Sequence, residues 1–296
     1  MKILFLGTSS MLPTKTRNPS AILISYNNEN ILVDCGEGTQ RQLRIKNVSP
    51  TKITKLLITH WHGDHVLGIP GLIQSLGANH YNKTLEVYGP RGTKDYFSNM
   101  LKSFIFPVKI NLVIKEISNG KLFENKDFEL HSSLMRHNAI CLAYSLIEKS
   151  RRKINLDYMK QFGLTKHPLL GELQNGKDIV YKGKKILVSK ATKLILGKKI
   201  TIILDTELNN NAIKFAANSN LLITESTYLD ENDKKNQNYM HMTIKDALQL
   251  SKKAKVKALI LTHFSQRYRD LTEFEKIAKK EFKNIKFAKD FMEIII

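Results

Sequence analysis

The 296-residue sequence predicts an α/β fold in which two facing mixed sheets are flanked by helices. Two observations carry this expectation. Short β-type apolar runs alternate with helical patterns in both halves of the chain, and a hydrophobic content of 42% is ample for the core of a large single domain. In the first half, strand patterns lie at 3–6, 21–26, 31–33, 56–58 and 85–88, with helical patterns at about 38–45, 66–76 and 93–102. An apolar-polar stretch follows at 128–135. After Ser189 the order reads strand, helix, strand, helix, strand, helix, and a last strand-like run covers 291–296. The apolar opening at 1–6 is interrupted by Gly7 to Ser10 too early for a signal peptide and reads as the first strand. No stretch is long enough to span a bilayer. Cys35 and Cys141 make no disulfide framework, which suggests a reducing, cytoplasmic setting.

The segment Thr59-His60-Trp61-His62-Gly63-Asp64-His65 follows the apolar run Lys55-Leu56-Leu57-Ile58, so four metal-binding side chains sit on the loop and first helical turn after a strand. Zinc takes imidazole nitrogen and carboxylate oxygen, and a catalytic site leaves a position open for water. His60 and His62, separated by one residue in extended backbone, can converge on one ion, while Asp64 and His65 can reach a second. A surface histidine cluster without metal is the bland alternative, but this density is rarely needed for packing. A six-residue loop cannot complete a two-metal site. His137, Asp205 and His263 each follow an apolar run, the places where cap or turn residues also occur, and are the candidates for the remaining ligands. A carboxylate such as Asp205 can bridge paired ions about 3.5–4 Å apart.

This series, with Phe5-Leu6-Gly7-Thr8, Arg17-Asn18, Asp34-Cys35-Gly36-Glu37-Gly38-Thr39-Gln40-Arg41-Gln42, His241-Met242-Thr243 and Thr262-His263-Phe264-Ser265-Gln266-Arg267-Tyr268, resembles the metallo-β-lactamase superfamily and, within it, the ribonuclease Z family. The resemblance covers nearly the whole chain. It implies the αββα sandwich of the metallo-β-lactamase fold and a zinc-dependent endoribonuclease that removes the 3′ trailer from precursor tRNA, leaving a 3′-hydroxyl. It further implies one ion held by His60, His62 and His137, another by Asp64, His65 and His263, and Asp205 between them. Manganese, iron or cobalt could replace zinc on such donors. By the same resemblance a metal-bound hydroxide attacks phosphorus, Asp64 orients the water, and His241 stabilises the scissile phosphate or protonates the leaving oxygen. Homodimers are common in the family. Trp61 stands where the family has a smaller aliphatic residue, and Leu204 where it has Gly.

With 47 Lys and Arg against 27 Asp and Glu, the net charge of +20 favours an anionic partner such as RNA, although Lys richness can also reflect genome composition. The segment at about 148–185 begins with Lys149, Arg151, Arg152 and Lys153 and reads as a projecting, mobile basic insertion. In the family the corresponding region is a flexible arm that grips the tRNA elbow; its Gly-Pro pair appears here as His167-Pro168. A solvated loop with incidental Lys is the alternative. Arg267 can contact phosphate, since guanidinium forks suit its oxygens, and Glu225 can orient His241 or a ligand His. His80, His131 and His167 have no constellation around them. A cyclic phosphodiesterase, a thioesterase or a lactonase of the same fold would use similar ligands, and a non-catalytic RNA-binding relative would have lost them.

Overall fold

The computed structural model describes residues 1–235 and 239–296. Two seven-stranded mixed sheets face each other. In the first the order is Glu293–Ile295, Lys2–Gly7, Ala21–Tyr26, Glu29–Val33, Lys55–Leu57, Thr84–Gly89 and Asn111–Glu116, antiparallel at its first three pairings and parallel from Glu29–Val33 onward. In the second it is Ile285–Phe287, Leu259–Thr262, Leu221–Glu225, Lys199–Ile203, Cys141–Glu148, Phe128–Met135 and Gly120–Glu124. Here the four strands from Lys199–Ile203 through Ile285–Phe287 are parallel, and the others pair antiparallel.

Three apolar layers follow from the alternation of side chains across each strand. Ile3, Phe5, Ile22, Ile24 and Val33 of the first sheet meet Leu130, Tyr144, Ile202 and Ile223 of the second in the central layer. The opposite face of the first sheet packs under helices Thr39–Ile45, Ile69–Ala78 and Thr93–Lys102, and that of the second under Asn210–Ala216, Ile244–Lys253 and Thr272–Glu281. Burying each large aliphatic side chain in these layers contributes roughly 1.5–3 kcal/mol. Lys55, enclosed in the first sheet, is neutralised by Glu29 and Glu86 at 2.9 and 3.1 Å and lies 4.0 Å from the ring centroid of Phe123.

The predicted strands and helices of the first half are present with end shifts, and the pattern at 66–76 is realised as a one-turn helix, Gly63–Val66, and a separate helix, Ile69–Ala78. Two strands without a sequence signal, Asn111–Glu116 and Gly120–Glu124, lie at sheet edges. Between the adjacent strands Cys141–Glu148 and Lys199–Ile203 the chain makes a long excursion. Arg151–Ile154 pairs with Thr192–Ile195, Ile179–Tyr181 pairs with Lys184–Ile186, and Met159, Leu164, Leu173, Ile179, Ile186 and Ala191 form a small core of their own. Among the described residues no helix is long and apolar enough to cross a membrane.

Candidate metal centre

Every side chain of the candidate cluster leaves the C-terminal end of a strand or the loop just beyond it. Lys55–Leu57 leads to His60 and His62, with Asp64 and His65 on the turn Gly63–Val66. Phe128–Met135 leads to His137, Lys199–Ile203 to Asp205, and Leu259–Thr262 to His263, whose φ of 59° turns the chain sharply at that point. Parallel strands place such ends along one rim, where ligands of α/β sheets gather.

The donors fall into three overlapping groups linked through Asp205 and His263. His60, His62, His137 and Asp205 present ligand atoms within 4.8 Å of one another, and so do Asp64, His65 and His263, and Asp205, His241 and His263. Asp205 Oδ2 lies 3.6 Å from His60 Nε2 and 3.9 Å from His137 Nε2, whereas its Oδ1 lies 3.4 Å from His65 Nε2 and 3.3 Å from His263 Nε2. Asp64 Oδ2 is 3.4 Å from both His65 Nε2 and His263 Nε2. The buried atoms His60 Nε2, His65 Nε2 and Asp205 Oδ1 have no hydrogen-bond partner among the described residues. Orphaned polar atoms in a buried site are costly unless something else satisfies them. Three of them converging from a histidine and carboxylate set fit divalent ions, so the residues present suit metal binding.

Carboxylates behind the cluster set the ring orientations. Asp34 Oδ2 lies 2.6 Å from His65 Nδ1, and the same carboxylate accepts from the Thr59 backbone N–H and hydroxyl, both at 2.8 Å. With Nδ1 engaged, His65 turns Nε2 to the cluster. Asp34 belongs to the Asp-Cys-Gly-Glu-Gly motif, from which the sequence assigns it no role; like the ligands it follows a strand, Glu29–Val33, and that position is the signal that could have found it. Gly36 and Gly68 let this loop lie against the metal loop, since a Cβ would come within 2.5 Å of Asp64 O and 2.1 Å of Gly36 O respectively. Glu225, fully buried, accepts from the Thr206 and Met242 backbone N–H groups and lies 3.0 Å from His241 Nδ1. Thr227 Oγ1 donates to Glu225 at 2.6 Å and stands 3.1 Å from His263 Nδ1.

His241 Nε2 points to the cluster, 3.8 Å from Asp205 Oδ2. Burial opposes its charged form, but Glu225 and Asp205 outweigh burial and push its pKa up to about 9. Burial lowers the pKa values of His60, His62 and His137, which keeps their lone pairs available. For Asp64 and Asp205 burial favours the neutral acid, yet the surrounding histidines reverse this and hold both carboxyls below their usual range. Burial also disfavours charge on His65, which Asp64, Asp205 and Asp34 override; a bound divalent ion would take the place of that proton.

His62, Asp64, His137 and Asp205 of the cluster line a cleft of about 610 Å³ whose walls also include Met11, Leu12, His241 and Arg267. Met11 donates its backbone N–H to Asp64 Oδ2 at 2.8 Å. Among the described residues, that lining includes none of Lys149, Arg151, Arg152 and Lys153. Arg151 and Lys153 are exposed on the excursion, Lys149 pairs with Glu124, and Arg152 donates to Thr192 Oγ1 at 3.1 Å. The two family departures are absorbed by packing. Trp61 turns its indole N–H to Thr93 Oγ1 at 2.9 Å and packs under the outer helices, and Leu204 enters the central core.

The chain is 37% identical to ribonuclease Z of Lactococcus lactis, over 99% of both chains, and 36% identical to that of Streptococcus uberis, over 100% of both. It belongs to the ribonuclease Z family. The human short-form tRNase Z superposes on it with a TM-score of 0.74 at 26% identity, covering 100% of this chain and 99% of the human one. The metallo-β-lactamase fold protein YhfI of Bacillus subtilis gives 0.70 at 18% identity over 99% and 98% of the two chains, which shows the shared fold. A family model described as Anti-Pycsar protein Apyc1 matches residues 1–147, ending before Asp205, His241 and His263. As a member of the ribonuclease Z family the protein is a metal-dependent hydrolase of the metallo-β-lactamase fold.

Proposed function

We propose that the protein is a zinc-dependent endoribonuclease that cuts the 3′ trailer from precursor tRNA and leaves a 3′-hydroxyl, acting in the cytoplasm as a homodimer. The observation that carries this reading is the pair of donor groups sharing Asp205, with His241 beside them, in a chain of this family. His60, His62 and His137 would hold one ion, Asp64, His65 and His263 the other, with Asp205 common to both. When bound, two divalent ions supply Lewis acidity toward the phosphoryl oxygens and the attacking water.

The remaining chemistry falls to the protein's own groups. Asp64 orients the attacking water through its cleft-facing carboxylate. His241, held protonated by Glu225, donates a proton to the leaving 3′ oxygen. Arg267 draws the RNA phosphate into the cleft. The residues at about 148–185, with Lys149, Arg151, Arg152 and Lys153 at their base, act as an arm within a single 1–296 domain and grip the tRNA elbow away from the cut.

Cleavage of a 3′-extended precursor tRNA by zinc-loaded protein, with His65→Ala and chelator-treated samples beside it, tests the reading. One metal-dependent cut near the discriminator base, lost in both controls, supports it. Intact RNA together with rapid hydrolysis of a cyclic nucleotide, thioester or lactone overturns it in favour of another hydrolase of this fold.

A further inference from the structure

We propose that Asp233 is the resident counter-anion of Arg267, the group already read as drawing the RNA phosphate into the cleft, and that it is displaced when a substrate phosphate arrives. The inference rests on reading the cleft as a phosphodiester site.

Arg267 occupies a cleft wall together with Tyr228 and His241. Its guanidinium carbon lies 5.3 Å from the Tyr228 ring centroid, and the Tyr228 ring meets His241 edge-on at 5.9 Å. The cation is therefore carried by the same aromatic surface that flanks the proposed proton donor. Asp233, on the short helix Glu231–Lys235, reaches across with Oδ1 3.3 Å from Arg267 Nη1, while its Oδ2 accepts the Tyr268 hydroxyl. Both side chains of the ion pair are one-third exposed, at 33% each.

Three features make this a displaceable contact. It engages Arg267 through one nitrogen and at a long distance, whereas a phosphate can take the planar fork through two. At this exposure an ion pair is weak, so an entering phosphate with two cleft-facing oxygens competes effectively. Finally, the backbone under Arg267 is fixed without Asp233. Buried Arg17 donates from Nη2 to Ser265 O at 3.1 Å and to Tyr268 O at 2.7 Å, on either side of Arg267. Release of Asp233 thus frees the guanidinium and leaves its anchor in place. A resident carboxylate also screens the cation from stray anions until a ligand that reaches the metal groups as well makes the exchange worthwhile.

The test uses zinc-loaded full-length wild type, Asp233→Asn, Arg267→Gln and the double variant. It reads the calorimetric Kd for inorganic phosphate and the KM and kcat for 3′-extended precursor tRNA. The amide introduced by Asp233→Asn retains an acceptor for the Tyr268 hydroxyl, and thermal unfolding checks that each variant is folded. Asp233→Asn should tighten phosphate binding and lower KM by about two- to fivefold, the size of an exposed ion pair's coupling, with the change in KM exceeding that in kcat. In the Arg267→Gln background the same substitution should have no effect. Weaker phosphate binding by Asp233→Asn, or an equal gain without Arg267, overturns the inference: the first makes Asp233 a positioning group, the second a source of general repulsion. If no variant cuts RNA yet phosphate binding follows the expected pattern, the ribonuclease reading fails and the exchange at Arg267 stands.

Discussion

Asp34 and His65 form a fully buried carboxylate–imidazole pair, with 2.6 Å between Oδ2 and Nδ1. The aspartate fixes the ring so that Nε2 faces the second donor group. Asp34→Ala should weaken zinc binding at that group by about 10–100-fold, as loss of an orienting partner does, in a competition titration against a chromophoric chelator. Unchanged affinity would show that packing alone holds the ring.

In the proposed reaction His241 gives its proton to the leaving 3′ oxygen. His241→Gln should lower kcat for precursor tRNA by about 10²–10⁴-fold, the usual contribution of a general acid, with KM moved much less. Its raised pKa also sets the direction of the pH profile. The proton is present below about 9 and lost above it, and the charge of bound metal ions draws that limit downward. Wild-type kcat should therefore fall on the alkaline side, and the variant should lack that limb.

On the proposed reading, the basic residues at the base of the excursion bind tRNA through charge. Replacing Lys149, Arg151, Arg152 and Lys153 with Ala should raise KM for precursor tRNA and flatten its dependence on salt, by up to about 0.7–0.9 in logarithmic slope for each phosphate no longer neutralised. Hydrolysis of a small phosphodiester, which has no distant region to reach, serves as the control. An unchanged salt slope would reduce these side chains to solvated surface.

Asp290 links stability to pH. Burial is the largest influence on it and raises its pKa to about 6, despite hydrogen bonds from Asn18 N–H and the Thr8 hydroxyl. Since the folded value is the higher one, its stabilising contribution is complete below the unfolded value of 3.8 and is lost as pH rises through about 6. The penalty for Asp290→Asn should thus be larger at pH 4 than at pH 7.5, by on the order of 2–3 kcal/mol. Urea unfolding of chelator-treated wild type and variant at both pH values reads this difference; an equal penalty at both would show that Asp290 titrates alike in the folded and unfolded chain.

Polar residues that punctuate apolar runs made most of the cluster legible. His60, His137, Asp205 and His263 all stand just past strand-like stretches, and the structure brings all four together. Asp34 has the same placement but acts through a neighbouring strand, 31 positions away in sequence, so spacing offered no clue to its role. Asp233 is further hidden, on a polar helix 34 positions before Arg267. The edge strand Asn111–Glu116 alternates partly buried and exposed residues, and its pairing partner Thr84–Gly89 contributes much of what makes it a strand. The excursion's basic ends suggested only a mobile insertion; its small core depends on Met159, Leu173 and Ile186, which are scattered among lysines.

The donors are divided between the two sheets: His60, His62, Asp64 and His65 come from the first, and His137, Asp205 and His263 from the second. Ions seated among them would act as rivets across the sandwich. During synthesis the second donor group stays incomplete until the strand Leu259–Thr262 has been made and has docked. A nascent or half-folded chain therefore holds no finished reaction centre, and full metal loading reports that both layers have closed on each other.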